Sequence, residues 1–257
     1  GHDVDAACLM GVAKLLNATK KNWSGRAILI FQPGEEKLPG GASLMIKEGL
    51  LDHYKPDCII AQHVYPEFNA GHVGFKSGMY MASADEIYLT VKGVGGHGAL
   101  PHRNVDPIVI SAAIILELQT MVSRVAPPTL PTVLSFGKII GEGATNVIPS
   151  EVKLEGTLRT FNEEWRAIFH SRIQTLCEQI AKAHGGECVV DIRKGYPFLV
   201  NDESLTQQSV QSAKNFLSEE KVHALDLRMT AEDFAYFSQE KPVCFYRLGV
   251  GDHSNGI

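Results

Sequence analysis

Apolar residues recur along the first part of the chain at spacings that predict a layered α/β arrangement. Residues 3–20 show helical spacing, with Asp3 as the expected N-cap. Two short continuous apolar runs, residues 27–31 and 58–61, are typical of strands buried on both faces. A helix is predicted between them, from about residue 42 to residue 49. Because strand and helix alternate, this part of the sequence indicates a parallel sheet.

The middle of the chain follows a different pattern. It predicts strands at residues 86–92, 132–140, 151–160 and 187–193, and helices at residues 107–125 and 165–184. Their β-α-β-β-α-β order is typical of a small ferredoxin-like α+β domain. After residue 199, a helix at 205–217 and a strand at 243–248 return to the first pattern. We therefore expect an α/β domain, residues 1–82 and 199–257, split by an inserted domain, residues 83–198.

Composition narrows the class of protein. The chain has 257 residues, a formal net charge of -5 and no run of lysine or arginine, so nucleic acid is not an expected partner. No uninterrupted apolar stretch approaches the roughly 18 residues of a membrane helix, and no membrane partner is expected. The five cysteines are odd in number and sit mostly in apolar segments, which favours reduced thiols and a cytoplasmic location. The chain opens without a methionine and stops after a polar loop, so we expect material to be missing at both ends.

Polar residues fall at the places where the predicted buried strands end. Glu35 and Glu36 follow one strand, His63 ends the next and His253 lies after a third, while His2 precedes a helix. Ligands of open α/β sheets bind beyond the carboxyl ends of the strands, so these segments can converge there. Histidine nitrogens with a carboxylate suit zinc or a similar divalent ion. A neighbouring glutamate that does not bind metal is placed to take a proton from an activated water.

Each of these residues also has a purely structural explanation. A single histidine at a strand end often only forms a hydrogen bond, and a pair of glutamates in a loop is often just solvated. The tract at residues 93–98 matches G-x-G-x-x-G, but dinucleotide binding requires a helix that opens directly on the glycines. Here Pro101 intervenes, and the helix is predicted to start at Pro107 with Asp106 as its N-cap. The tract is therefore interpreted as a tight loop that presents His97 and His102.

Eight short tracts, taken together and in order, resemble a known family. They are GHD (1–3), QPGEE (32–36), QHV (62–64), GGHGALPH (95–102), GATNVIP (143–149), GTLRTF (156–161), AEDF (231–234) and HS (253–254). The set resembles the M20 peptidases, in the branch that contains aminoacylase-like amidohydrolases, hippurate hydrolases and auxin-conjugate hydrolases. The tracts span nearly the whole chain.

The resemblance implies a metal site and its general base. By this likeness His2, Glu36, His63 and His253 are ligands of two divalent ions, either zinc, manganese, cobalt or nickel. Glu35 is the implied general base. Two departures bear on this expectation. The cysteine that precedes the first motif in the family is absent together with an N-terminal segment, and Asp5 stands where the family usually has a histidine.

The resemblance also implies what the inserted domain does and what the protein acts on. The inserted domain resembles a dimerisation or lid domain, so a homodimer is expected. His97 resembles the histidine that stabilises the oxyanion in the partner subunit's site, and Asn146 and Arg159 resemble residues that contact substrate. The implied reaction is metal-dependent hydrolysis of the amide bond of a small N-acylated amino acid or short peptide. Two alternatives stay open: a dipeptidase or carboxypeptidase of the same family, and a non-catalytic relative that binds metabolites or partners.

Overall fold

The computed structural model describes residues 1–252, which contain seven α-helices and twelve β-strands. The helices are α1 (His2–Ala18), α2 (Gly41–Lys47), α3 (Leu50–Tyr54), α4 (Pro107–Thr120), α5 (Glu163–Ala183), α6 (Glu203–Leu217) and α7 (Ala235–Ser238). The strands are β1 (Ile59–Asn69), β2 (Val73–Phe75), β3 (Gly78–Met81), β4 (Asp85–Lys92), β5 (Gly96–His97), β6 (Thr132–Ile140), β7 (Val147–Ile148), β8 (Glu151–Thr160), β9 (Glu187–Lys194), β10 (Leu199–Asn201), β11 (Val222–Ala224) and β12 (Val243–Gly251).

The chain divides into two compact units. The first unit consists of Gly1–Met81, Leu199–Arg228 and the described residues from Glu232 onward. The second consists of Ala82–Phe198 and Met229–Ala231.

The first unit contains a four-stranded sheet in the order β1-β12-β2-β11. Strand β1 pairs in parallel with β12, and β11 pairs in parallel with β2, but β2 runs antiparallel to β12. The expected parallel pairing is present between β1 and β12 and between β2 and β11. The sheet is nevertheless mixed, because β1 continues through a tight turn at residues 69–72 into β2, which pairs with β12 in the reverse direction. The core of this unit is built around Tyr80, Phe237 and Phe245.

One predicted strand of the first unit is not formed. Residues 27–31 belong to none of the helices or strands of the described chain, and 55% of Phe31 is exposed. An apolar run favours burial, but it becomes a strand only beside a neighbour that supplies hydrogen bonds. The run predicted at residues 58–61 does form a strand, β1, which continues to Asn69. His63 consequently lies inside β1 and not at its end.

The start of α1 also differs from the prediction. The helix begins at His2 with Gly1 as the N-cap, and Val4 N donates to Gly1 O at 3.0 Å. Asp3 is therefore not the cap. It lies in the first turn together with Asp5, where the positive end of the helix dipole favours acidic side chains.

The second unit contains an antiparallel four-stranded sheet in the order β6-β8-β4-β9. Its main elements follow one another as strand, helix, strand, strand, helix, strand. Alternate residues of β4 are buried, which shows that one face of the sheet is covered. Ile87, Ile114 and Phe169 lie in the core between the sheet and the helices α4 and α5. Asp106 caps α4 as predicted, because its side chain accepts hydrogen bonds from Ile108 N and Val109 N.

Helix α4 and the π-helical turn after it form the most apolar helical segment of the described chain. By length and composition alone, Pro107–Val125 could cross a membrane, with a mean hydropathy of 1.7. Its inner side packs in the core of the second unit through Ile110, Ile114 and Leu118, as the core helix of a globular domain does. Only 28% of this segment is buried, and 70% of Leu116 is exposed. The helix therefore carries apolar residues on its outer side as well.

Candidate metal centre

Two histidines meet where the start of α1 lies against β1. Gly1 packs so closely on Val64 that a Cβ at position 1 would lie 2.8 Å from Val64 Cγ2. This contact brings the rings of His2 and His63 to a centroid distance of 5.6 Å, with their planes at 81°. His63 Nδ1 lies 2.9 Å from Val64 O. A proton on Nδ1 would satisfy that carbonyl and leave the Nε2 lone pair available to a metal ion.

Two carboxylates approach His2 from the loop that precedes α2. His2 Nε2 lies 3.6 Å from Glu35 Oε2 and 3.9 Å from Glu36 Oε1. One ligand atom from each of these three residues lies within 4.8 Å of the others. An imidazole nitrogen together with carboxylate oxygens is the donor set that zinc and similar divalent ions accept. His2 and Glu36, two of the four predicted ligands, thus lie together with Glu35 in a donor set that fits a divalent ion.

A second cluster of carboxylates shares Glu35 with the first cluster. Carboxylate oxygens of Glu35, Glu232 and Asp233 also lie within 4.8 Å of one another, and both Glu232 and Asp233 are buried. Burial raises the pKa of Glu232 to about 8, and the negative charge of Glu35 adds to the effect. Burial also raises the pKa of Glu35, assisted by the charges of Glu36 and Asp233. Carboxyl groups are thus concentrated around the buried Glu232 and Asp233, and such perturbed groups are common at functional sites.

A buried arginine partly balances this negative charge. Arg247 lies on β12 beside His63 on β1. Its Nε donates to Tyr80 Oη at 3.0 Å, and its guanidinium carbon lies 5.2 Å from the centre of the Phe245 ring. The charge of Arg247 lowers the pKa values of Glu35 and Glu232, against the larger effect of burial. The arginine therefore helps to keep a dense group of carboxylates in one place.

Asp5, the residue that departs from the family pattern, lies at the same site. Gln62 Nε2 donates to Asp5 Oδ1 at 3.5 Å, and Tyr246 Oη donates to Gln62 Oε1 at 2.8 Å. Burial raises the pKa of Asp5, and the nearby His63 opposes that shift. The substitution thus places an additional carboxyl group beside the two histidines.

In the second unit, two of the predicted substrate-contacting residues lie together. Strand β5, which carries His97, pairs with β7, and Gly98 N donates to Asn146 O at 2.8 Å. His97 Nδ1 accepts a hydrogen bond from Ala99 N at 3.1 Å, so a neutral His97 ring carries its proton on Nε2. Arg159 lies on β8 in the four-stranded sheet, where its Nε donates to Thr157 Oγ1 at 3.1 Å.

The structure thus brings together His2, Glu35, Glu36 and His63 in one unit, and His97 and Asn146 in the other. His253 lies outside the described residues. Sequence reasoning missed Glu232, Asp233 and Arg247 as members of the site. The AEDF tract at residues 231–234 was matched to the family without a role for its two carboxylates, and Arg247 had no local motif that would have identified it.

Comparisons with known proteins identify the family. The family model described as peptidase family M20/M25/M40 matches residues 1–257. The chain is 38% identical over 256 residues to N-acetyl-L-cysteine deacetylase of Bacillus subtilis (strain 168), covering 98% of this chain and 60% of that protein. It is 33% identical over 250 residues to N-acetyldiaminopimelate deacetylase of Brevibacillus brevis, covering 97% of this chain and 66% of that protein.

A solved structure is similar over the same range. It is the Bacillus subtilis YXEP protein, a dinuclear metal-binding peptidase of the M20 family, with a TM-score of 0.75 and 27% identity. The match covers 97% of this chain and 63% of that one. The chain therefore spans about 60 to 66% of the length of these relatives.

Proposed function

This chain belongs to peptidase family M20/M25/M40, and on that premise we propose that it hydrolyses the amide bond of N-acyl amino acids with bound divalent metal ions. The observation that carries the proposal is the grouping of His2, Glu35 and Glu36, whose ligand atoms lie within 4.8 Å of one another. The names of two relatives, both deacetylases of N-acetylated amino acids, support the choice of substrate.

We propose that His2, Glu36 and His63, with His253, hold two divalent ions; the description of one relative as a dinuclear metal-binding peptidase supports the number of ions. When bound, such ions lower the pKa of a water molecule towards neutrality and polarise the carbonyl of the scissile amide. The hydrogen bond between His63 Nδ1 and Val64 O orients the imidazole ring so that Nε2 can bind a metal ion.

Glu35 is the proposed general base. It lies beside the proposed ligands His2 and Glu36, and burial has raised its pKa, so it accepts a proton more readily than an exposed glutamate. Glu35 takes one proton from the attacking water as the new C–O bond forms. It returns that proton to the amide nitrogen as the C–N bond breaks, which releases a carboxylic acid and a free amine.

His97 is the proposed donor to the oxyanion that forms on the amide carbonyl. Its Nδ1 is occupied by Ala99 N, so Nε2–H is the group left to donate. Asn146, held next to His97 through Gly98 N, is a proposed substrate contact, as is Arg159. The Arg159 side chain is partly desolvated, which lowers its pKa and strengthens its attraction for a substrate carboxylate.

We propose that a second copy of the chain binds at β6 and α4. Strand β6 is an edge of its sheet, and Ile139 on β6 and Leu116 on α4 are 57% and 70% exposed. An edge strand can pair with its own symmetry mate across a two-fold axis, and the apolar residues beside it would be covered at the same time. In such a dimer, His97 of one subunit serves the site of the other. Mixing inactive Glu35→Gln and His97→Ala subunits should then restore activity, whereas no recovery despite verified subunit exchange would contradict the arrangement.

The function is tested by metal analysis and a substrate panel on the full-length protein. We expect about two bound divalent ions per chain and faster hydrolysis of N-acetyl or N-benzoyl amino acids than of dipeptides. Preference for dipeptides would indicate a dipeptidase or carboxypeptidase of the same family. Less than one ion per chain, with no panel member hydrolysed, would indicate a non-catalytic binding protein and overturn the proposal.

A further inference from the structure

The loop that carries Glu35 and Glu36 has little packing of its own. Between Pro33 and Pro39 no residue is buried. Two backbone hydrogen bonds shape it, from Lys37 N to Gly34 O at 3.4 Å and from Gly40 N to Lys37 O at 2.9 Å. A surface loop of this kind has many conformations unless its ends are fixed. The positions of the Glu35 and Glu36 carboxylates therefore depend on the contacts that hold the two ends of the loop.

Asp233 contacts both ends. At the start of the loop, Gln32 Nε2 donates to Asp233 Oδ1 at 2.6 Å and to Oδ2 at 2.8 Å. At the end, Ala42 N donates to Asp233 Oδ2 at 3.0 Å. The two ends also touch each other, because a Cβ on Gly41 would lie 1.6 Å from Pro33 O. One carboxylate thus closes the loop by linking residues that are adjacent in space.

Asp233 is itself held firmly. The residue is completely buried and begins a turn in which Tyr236 N donates to Asp233 O at 2.9 Å. Its neighbours Phe234 and Phe237 lie in the core of the first unit. Gln32 and Ala42 offer it neutral amide donors, and the carboxyl group of Glu232 is a further hydrogen-bond partner. The Asp233 carboxylate thus accepts charge-assisted hydrogen bonds from both ends of the loop at a fixed point.

We propose that Asp233 is a positioning residue that clamps the loop from Gln32 to Ala42 and so sets where Glu35 and Glu36 stand. This inference rests on the proposed function for the roles of those two glutamates. The clamp itself is independent of that function, because the contacts belong to the chain alone. Residues that orient metal ligands from behind typically change metal affinity or activity ~10- to 100-fold when altered.

A charge swap tests the clamp. Gln32→Glu places a second carboxylate against Asp233 and should open the loop. We expect kcat and metal affinity to fall ~10- to 100-fold, while KM changes less than about threefold.

A second substitution should rescue the loop. When Gln32→Glu is combined with Asp233→Asn, the nitrogen of the introduced amide can donate to the new glutamate, and its oxygen can still accept from Ala42 N. The double variant should recover to within about fivefold of wild type in both quantities. Gln32→Leu, which removes the donor without adding charge, should give a smaller loss.

Hydrogen–deuterium exchange in the metal-free protein separates this inference from the proposed function. Amides of residues 33–40 should exchange faster in Gln32→Glu and return towards the wild-type rate in the double variant. If wild type hydrolyses nothing but exchange follows this pattern, the proposed function fails and the clamp stands. Unchanged exchange in Gln32→Glu, or no recovery of exchange in the double variant, would overturn the clamp whatever the activity. Should Gln32→Glu not fold, the same exchange measurement on Gln32→Leu decides, with faster exchange expected.

Discussion

Each unit of the molecule buries carboxylates, but the two units treat them in opposite ways. In the second unit, Asp85 is paired: Arg166 Nε and His170 Nε2 donate to its Oδ2 at 2.9 and 2.6 Å, and Gly195 N donates to Oδ1 at 3.1 Å. These partners hold the pKa of Asp85 near 2, even though burial alone would raise it. In the first unit, burial beside Glu35 raises the pKa of Glu232 to about 8.

The contrast separates a structural cluster from a functional one. A buried charge that serves the fold is paired and hydrogen-bonded, because an unpaired one would destabilise the protein. The Asp85 cluster follows this rule and joins β4, α5 and the segment after β9. The cluster of Glu35, Glu232 and Asp233 gathers carboxyl groups instead, which raises the pKa values of Glu35 and Glu232, and a bound cation would relieve this effect.

The largest expected effect is on catalysis in the first unit. Glu35→Gln in the full-length protein should lower kcat by ~10² to 10⁴, because the variant has no group to accept the proton of the attacking water. Metal content should stay at the wild-type level. Glu48→Gln, at an exposed glutamate after α2, is the matched control and should retain wild-type turnover. Wild-type turnover in Glu35→Gln would remove Glu35 from the mechanism.

The second effect is on the stability of the paired cluster. Asp85→Asn removes the fully buried counter-charge of Arg166, which then keeps only the partly exposed Glu163, and should lower the free energy of unfolding by about 3 kcal/mol. The measurement is denaturant unfolding followed by Trp165 fluorescence, in a Trp23→Phe background. Asp191→Asn breaks an exposed pair with Arg193 and should cost less than about 1 kcal/mol. Equal losses in the two variants would refute the distinction between buried and exposed pairs.

The third prediction concerns the pH dependence of stability in the metal-free protein. The folded pKa of Glu232, about 8, lies above its ordinary value of 4.5, so its stabilising contribution is full below about pH 4.5 and is lost as pH rises through 8. Glu232→Gln removes this loss. Between pH 5 and pH 8 the variant should therefore gain roughly 1 to 4 kcal/mol relative to wild type. Glu240→Gln, at an exposed position, should follow wild type, and parallel pH profiles for all three proteins would contradict the account.

The smallest expected effect concerns a carboxylate that is neither clustered nor deeply buried. Asp106 caps α4, and Asp106→Ala should lower the free energy of unfolding of the second unit by about 1 kcal/mol. The Trp165 probe measures this change. Asp106→Ser should keep most of the stability, because its hydroxyl can still accept from the amides of the first turn. A larger loss than in Asp85→Asn would reverse the order of effects expected here.

The sequence predicted local structure well where one pattern fixes one element. The helix at α4 and its cap at Asp106 followed from the Asp-Pro pair and the apolar spacing. The prediction of a strand failed for residues 27–31, because strand pairing depends on a neighbouring strand that an apolar run does not specify. The reversed strand β2 was missed for a similar reason, since it has only three residues and its direction depends on tertiary contacts.

The candidate site was predictable only in part. His2, Glu35, Glu36 and His63 followed from their positions and from the family resemblance, and the structure brings them together. Asp233 contacts Gln32, which lies 201 positions away in the sequence, and Arg247 joins the site through strand register. Contacts of this range arise from folding, so no local pattern shows them.

Metal titration of the full-length protein tests the central claim most directly. The ions are removed, and binding of zinc is then measured for wild type, Glu36→Gln and the control Glu48→Gln. If His2, Glu36 and His63 hold the metal, wild type and Glu48→Gln should bind about two ions per chain, and Glu36→Gln should bind at least about tenfold more weakly. Wild-type affinity in Glu36→Gln, or less than one ion per wild-type chain, would contradict the metal centre.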